Sequence, residues 1–254
     1  MIPRIKNFTP PADSYPYNPS KKVTVPGNDS VVLSLKGRGA NAFGFNRILP
    51  FGSDLSVIEA SFTLNEDYNL IKADTPIQLS AIRQLFLRKS LLAPFIIQQN
   101  NELLVTLTNT SGTDQEVNIA LLGYDTPALN KLIAAYDEKG IKRPTPVFLY
   151  AKGEVAADSA NVSIPISTKS VDVEIVRAAI KTDDDPDMSV TLQYFNEAIK
   201  NQVFVQQFND EYEDAYSIVP IRVGGNSPLR LLASNTDQAN ANTLSFIGEA
   251  YVIE

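Results

Sequence analysis

The densest set of potential ligands in the chain is Thr182-Asp183-Asp184-Asp185-Pro186-Asp187, which places four carboxylates within five residues. Oxygen donors at that density suit a hard cation, and calcium tolerates an irregular carboxylate set, so Asp183, Asp184, Asp185 and Asp187 form a candidate calcium site. The run lacks the loop glycine and distal Glu of an EF-hand, and its simpler reading is a solvated acidic turn. A second acidic run, Asp210-Glu211-Tyr212-Glu213-Asp214, suits an exposed loop or a contact between subunits. Sugar hydrolysis would need two such carboxylates at a set separation across the scissile bond, which linear spacing does not reveal.

The remaining chemistry is bounded by what is missing. The chain has no Cys, no His and no Trp. Disulfides, thiolate zinc sites, Cys nucleophiles and His-based triads are therefore excluded for this chain alone. Gly37-Arg38-Gly39-Ala40-Asn41-Ala42-Phe43-Gly44 has the look of a phosphate loop, but no Lys-Ser/Thr pair and no clear helix follow it. It reads as a flexible loop between strands.

Charge divides the chain unevenly. The formal net charge is −7, which disfavours a surface built to coat nucleic acid. Residues 1–22 depart from that average, with Arg4, Lys6, Lys21 and Lys22 set against Asp13 alone. Pro3, Pro10, Pro11, Pro16 and Pro19 remove backbone donors and favour extended conformations, so residues 1–21 read as a basic extended arm. Phe8, Tyr15 and Tyr17 are candidate anchors of the arm to a membrane interface or a neighbouring subunit, although scattered exposed aromatics are also common. No apolar run reaches the ~18 residues that would span a bilayer, and the start of the chain lacks the apolar core of a signal peptide. The expectation is a protein made and kept in the cytosol until it assembles.

The elements that must position these residues are short strands. Runs such as Ser30–Leu35, Leu103–Asn109, Val117–Leu122, Ala160–Ile166 and Leu229–Ala233 are β-branched or alternating, and are bounded by Gly, Asn, Asp, Ser or Pro. Strands at this spacing suggest a sandwich or barrel. Two helices interrupt the pattern. Thr75-Pro76 offers a start for one over about 76–90, and Asp125-Thr126-Pro127 for another that ends at Gly140. A third, over roughly Leu192–Val203, competes with a strand reading. Residues 125–146 thus form a helical connector and the best domain boundary.

Both halves end alike. Pro94, Asn100, Asn109 and Thr110 match Pro220, Asn226, Asn235 and Thr236 at a constant spacing, and Leu103 and Val105 match Leu229 and Leu231. One residue is lost in the polar turn, after which Ile119, Leu121 and Gly123 match Leu244, Phe246 and Gly248. A deletion confined to a turn keeps every buried face in place, as duplication of one β fold requires.

This organisation resembles the double jelly-roll major capsid proteins of tailless, membrane-containing icosahedral bacteriophages, of the corticovirus or tectivirus type. The resemblance implies a mainly β chain of two consecutive eight-stranded jelly-roll sandwiches with a short connecting helix. The implied domains are an arm at 1–21, sandwiches at 22–124 and 147–254, and the connector between them. It also implies a non-enzymatic shell protein of the virion that forms homotrimers and meets lattice neighbours and other capsid proteins. Arg4, Lys6, Lys21 and Lys22 would then face an internal membrane or packaged genome, without sequence-specific binding. The alternative reading is a phage spike, fibre or adhesin module that binds a receptor or carbohydrate.

Overall fold

The computed structural model describes residues 15–36, 42–65, 68–86, 90–91, 94–125, 145–182, 187–205 and 217–252. The chain divides into two compact units, one of residues 1–70, 76–146 and 254 and one of residues 71–75 and 147–253.

The first unit is built from β1 (Tyr15–Tyr17), β2 (Ser20–Val25), β3 (Ser30–Lys36), β4 (Phe43–Gly52), β5 (Ile58–Leu64) and β6 (Tyr68–Asn69). After β7 (Ile71–Lys72), which belongs to the second unit, come β8 (Ile77–Gln78), α1 (Leu79–Phe86), β9 (Phe95–Ile97), β10 (Glu102–Asn109) and β11 (Gln115–Asp125). One sheet runs β1–β11–β4–β9, with β2 also on β11, and the other runs β3–β10–β5–β6, with β8 also on β5. The second unit holds β12 (Thr145–Val155), β13 (Ser159–Ile166), β14 (Val173–Thr182), β15 (Met188–Tyr194), β16 (Glu197–Phe204), β17 (Ser217–Val223), β18 (Leu229–Asn235) and β19 (Asn242–Val252). Its sheets run β17–β14–β19–β12–β7 and β13–β18–β15–β16.

Count the strands of each unit in chain order, with β1 and β2 together as the first and the two-residue β7 and β8 left out. Both units then pair the first, eighth, third and sixth in one sheet and the second, seventh, fourth and fifth in the other. That order is the jelly roll, and it occurs twice. Alternation explains the inner strands: Leu103, Val105 and Leu107 of β10 and Ile58, Ala60, Phe62 and Leu64 of β5 are buried on one face. Each large apolar side chain so buried stabilises the unit by about 1.5–3 kcal/mol.

The repeat reaches atomic detail at the end of the seventh strand. Asn109 and Asn235 are both buried. The amide of Asn109 donates to the carbonyls of Val25 (3.1 Å) and Thr113 (2.7 Å), while its oxygen accepts from the Ser111 N–H (2.9 Å). The amide of Asn235 donates to the carbonyls of Val155 (3.3 Å) and Asn240 (2.8 Å), while its oxygen accepts from the Asp237 N–H (3.0 Å). Val25 and Val155 each end the first strand of their unit, so one side chain ties that strand to the turn before the eighth. The next residue does the same for the fourth strand. The N–H groups of Thr110 and Thr236 donate to the carbonyls of Val57 and Asp187, each at 2.9 Å. Turn residues Asn28 (φ 56°) and Asp158 (φ 49°) complete the match, donating to Ser111 and Asp237 carbonyls at 2.8 Å.

Several sequence expectations are corrected. The arm is shorter than residues 1–21: Tyr15–Tyr17 and Ser20–Lys21 pair with β11, and Tyr17 packs edge-on against Phe43 with ring centroids 4.9 Å apart. The helix expected from residue 76 begins at Leu79, because Ile77 and Gln78 pair with Ala60 and Glu59 of β5. The competing helix over Leu192–Val203 is a hairpin of β15 and β16. Strand β4 was hidden, since Phe43, Gly44 and Phe45 are buried in succession without alternation and the strand carries glycines and a proline. The connector helix lies outside the described residues, which resume in β12 at Thr145.

The second unit also buries an ion pair that no motif announces. In β14 the register shifts between Ile175 and Arg177, and Arg177 comes opposite Glu249 of β19. The Arg177 guanidinium bonds the Glu249 carboxylate, and the Tyr251 hydroxyl donates to the same carboxylate at 2.5 Å. Side-chain exposures of 4 % and 0 % leave this pair no route to solvent, so removing one partner strands the other charge.

Two outcomes follow for urea denaturation. Asn109→Ala and Asn235→Ala each lower the unfolding free energy by about 2–4 kcal/mol, because several buried carbonyl and N–H groups lose their partner. Glu249→Gln lowers it by about 3–5 kcal/mol, whereas the paired replacement Arg177→Met with Glu249→Leu recovers most of that loss.

Candidate functional site

The acidic candidates are separated by what the fold does with their flanks. Strand β14 ends at Thr182 and β15 begins at Met188. Asp187 lies between them, and its carbonyl is the acceptor for Thr236 described above. Asp183, Asp184 and Asp185 lie outside the described residues, as does the run from Asp210 to Asp214. Phe204, the last residue of β16, pairs with Ser189 at the start of β15, so the strand ends that flank both acidic runs lie at one end of the unit. Among the described residues no group of three Asp or Glu side chains could hold a metal.

The basic candidates also separate. Lys21 and Lys22 belong to β2, opposite Ile119 and Asn118, and Lys22 pairs with Glu116 at 2.7 Å. They are edge-strand lysines rather than arm residues. Arg4, Lys6 and Phe8 lie outside the described residues, as do Gly37–Asn41 of the glycine-rich run. Ala42 is buried, and Phe43 and Gly44 open β4, so the end of that run is core strand. No helix among the described residues is long and apolar enough to cross a membrane.

What the described surface offers instead is sheet edges and exposed aromatics. Phe195 is 55 % exposed at a left-handed φ of 54°, a conformation that costs a bulky residue steric strain. Its counterpart in the first unit is Asn65 (φ 51°), which tolerates that region. Both use the same turn bond: Phe195 N–H donates to Pro228 (3.0 Å) and Asn65 N–H to Glu102 (3.1 Å). Arg230 braces the Phe195 turn through Gln193 (3.1 Å) and Asn196 (3.2 Å). An aromatic displayed at such cost on a braced tip is suited to contact with another molecule. Sequence patterning gave no warning of it, since Tyr194-Phe195 reads as the end of a strand.

Along the edge strand β3, Lys36 and Ser34 face Glu102 of the adjacent β10. The Ser34 hydroxyl donates to Glu102 and holds its carboxyl below the ordinary value of 4.5, with help from Lys36 at 3.6 Å, while partial burial pulls the other way. A carboxylate with a lowered folded pKa adds stability above its unfolded value and loses it as pH falls through the folded one. Glu102→Gln therefore lowers stability by a few tenths of a kcal/mol at pH 7 and has no effect by pH 2–3, read as the difference between acid unfolding curves.

No protein-family model and no curated relative matches this sequence. Solved structures do. The major capsid protein of STIV, the Sulfolobus turreted icosahedral virus, matches with a TM-score of 0.51 at 8 % identity, over 93 % of this chain and 96 % of that one. Weaker likenesses run to the PBCV-1 virus capsid (TM-score 0.43, 8 % identity, 97 % of each chain). The Faustovirus major capsid protein is similar at a TM-score of 0.39 and 8 % identity, over 100 % of this chain and 93 % of that one. Strand order, the repeated asparagine lock and the likeness along almost the whole of both chains agree that this chain is a double jelly roll, the fold of the STIV capsid protein.

Proposed function

We propose that this protein is a structural component of a virion, a shell protein of an icosahedral virus that works through trimers and lattice contacts rather than through a catalytic cleft. The observation that carries the reading is one eight-strand topology built twice in a single chain, with the same buried asparagine closing each copy. A threefold axis through such a chain sets six similar sandwiches around itself, which approximates sixfold symmetry and tiles a shell with few kinds of contact. Open sheet edges, a hazard on a solitary protein, become covered surfaces in such an assembly.

The arm gives the subunit a direction. It enters the first sandwich at Tyr15, opposite Asp125 at the end of β11. Arg4 and Lys6 precede that point and would meet an anionic surface, an internal membrane or packaged genome, each basic residue contributing roughly 1 kcal/mol near such a surface. That arrangement follows the corticovirus or tectivirus type that the sequence resembles. Other copies of this chain and other capsid proteins are the partners.

Light scattering of the full-length chain is expected to give a compact trimer near three times 27.8 kDa. Deleting residues 1–14, which spares every described strand, is expected to leave that trimer folded and to impair its assembly into particles. A stable monomer at high concentration, or unimpaired assembly without residues 1–14, would count against the reading.

A further inference from the structure

The sheet edges are not treated alike. Among the described strands, β6, β7 and β8 have two residues each and β9 three. β1 has three and contains Pro16. β2 carries Lys21 and Lys22. β13 contains Pro165 and a register shift beside Asn161, whose φ is 56°. β16 has two register shifts, and β17 contains Pro220 and faces a third. Short length, proline, lysine and bulges are the devices that stop an edge from recruiting another strand. β3 has none of the first, second or fourth. It runs seven residues in unbroken register with β10, and its single lysine is the last residue. Val32, in its middle, is 59 % exposed.

We propose that β3 accepts an added strand, and that the strand is residues 4–9 of the arm of a second copy of this chain, an inference that rests on the shell reading. Arg4-Ile5-Lys6-Asn7-Phe8-Thr9 is the proline-free stretch between Pro3 and Pro10, and six extended residues cover roughly 20 Å of the roughly 23 Å edge. The arm also leaves the body in the right place. Tyr17 hydroxyl donates to the Lys36 carbonyl at 3.4 Å, which sets the end of β1 within a side chain's reach of the end of β3, and the arm joins β1 two residues before Tyr17. Pro10-Pro11 would serve as a stiff extended spacer long enough for the stretch to reach a neighbour's edge. Backbone pairing supplies the affinity, and alternate side chains supply the fit: one face of the added strand lies against Val32, and Arg4 or Lys6 lies on the sheet that carries Glu59 and Glu102.

The chain has no native cysteine, which makes disulfide mapping clean. One population carries Val32→Cys, and separate populations carry a single cysteine in place of Ile5, Lys6, Asn7 or Phe8. Each arm population is mixed with the first, assembled, checked by light scattering and oxidised. The expected result is disulfide-linked dimers at alternate arm positions, at least tenfold above the positions between, because a paired strand presents every second side chain to one face. Adding Lys6→Pro to the Phe8→Cys chain, a change outside every described strand, is expected to abolish that dimer. Assembled particles with no dimers, or with equal yields at all four positions, would overturn strand addition while leaving the shell reading intact. A disulfide formed within one chain when Val32→Cys and Phe8→Cys are combined, with none between chains, would overturn the second copy as occupant. Absence of particles before oxidation would sink the shell reading and the strand addition with it.

Discussion

A jelly roll is a stack of two sheets whose strands are exchanged at the ends, and the chain must be fastened where the exchange happens. Here the fastening is a buried asparagine. Asn109 and Asn235 each donate twice and accept from a turn N–H, so that the first strand, the seventh strand and the turn before the eighth share one side chain. Few other side chains could do this. A carboxylate would bring a charge into the core and could not donate to two carbonyls, and an apolar residue would leave those groups unsatisfied at about 1–3 kcal/mol each. With the strand ends pinned, a slip of one residue would invert every buried face at once, so the polar lock and the hydrophobic pattern enforce the same register.

Around that shared lock the two units have diverged in the ways a surface can. The first fills the passage before its sixth strand with α1, whose last carbonyl, on Phe86, accepts from Arg47 at 2.6 Å. The second runs β14, β19 and β12 with both faces covered, and there Val147, Phe148, Leu149, Tyr150 and Ala151 are buried in succession. A charged pair inside such a sheet is weak evidence of added stability, because desolvation offsets most of the attraction. What Arg177 and Glu249 do supply is a penalty for misregister. A shift of β14 against β19 would separate two buried charges, and the bulge at Val176 sets the register that lets them meet.

How much of this was legible in the sequence follows from what each element rests on. Strands with one dry and one wet face, such as β10 and β18, announce themselves by alternation, and the asparagines that close them stand at a constant spacing in the sequence. β4 was hidden because burial of neighbouring residues erases alternation, while Gly44, Pro50 and Gly52 imitate a loop. The helix start was misplaced because Pro76 is a good first helical residue in isolation, and pairing of Ile77 with Ala60 overrode that local preference. Lys21 and Lys22 looked like arm residues since charge and proline density carry no information about which strand a segment joins. Of the candidate sites, the buried ion pair and the strained Phe195 depend on contacts between strands far apart in sequence, and single-residue patterns do not encode those.

Duplication also explains where new function can arise without new chemistry. The lock residues are bound by packing on every side, so a change there costs the fold. Edge strands and turn tips meet solvent, and the two copies differ there most. One tip carries Asn65, at ease in the left-handed region, and its equivalent carries the strained aromatic Phe195, while a regular edge at β3 corresponds to a proline-bearing, bulged edge at β13. If neither edge met a partner, protection against stray strand pairing would blunt both alike. Leaving one long edge open while closing its equivalent gives the two sandwiches the same order of strands and different boundaries, so that an added strand would find a pairing edge on one and not on the other.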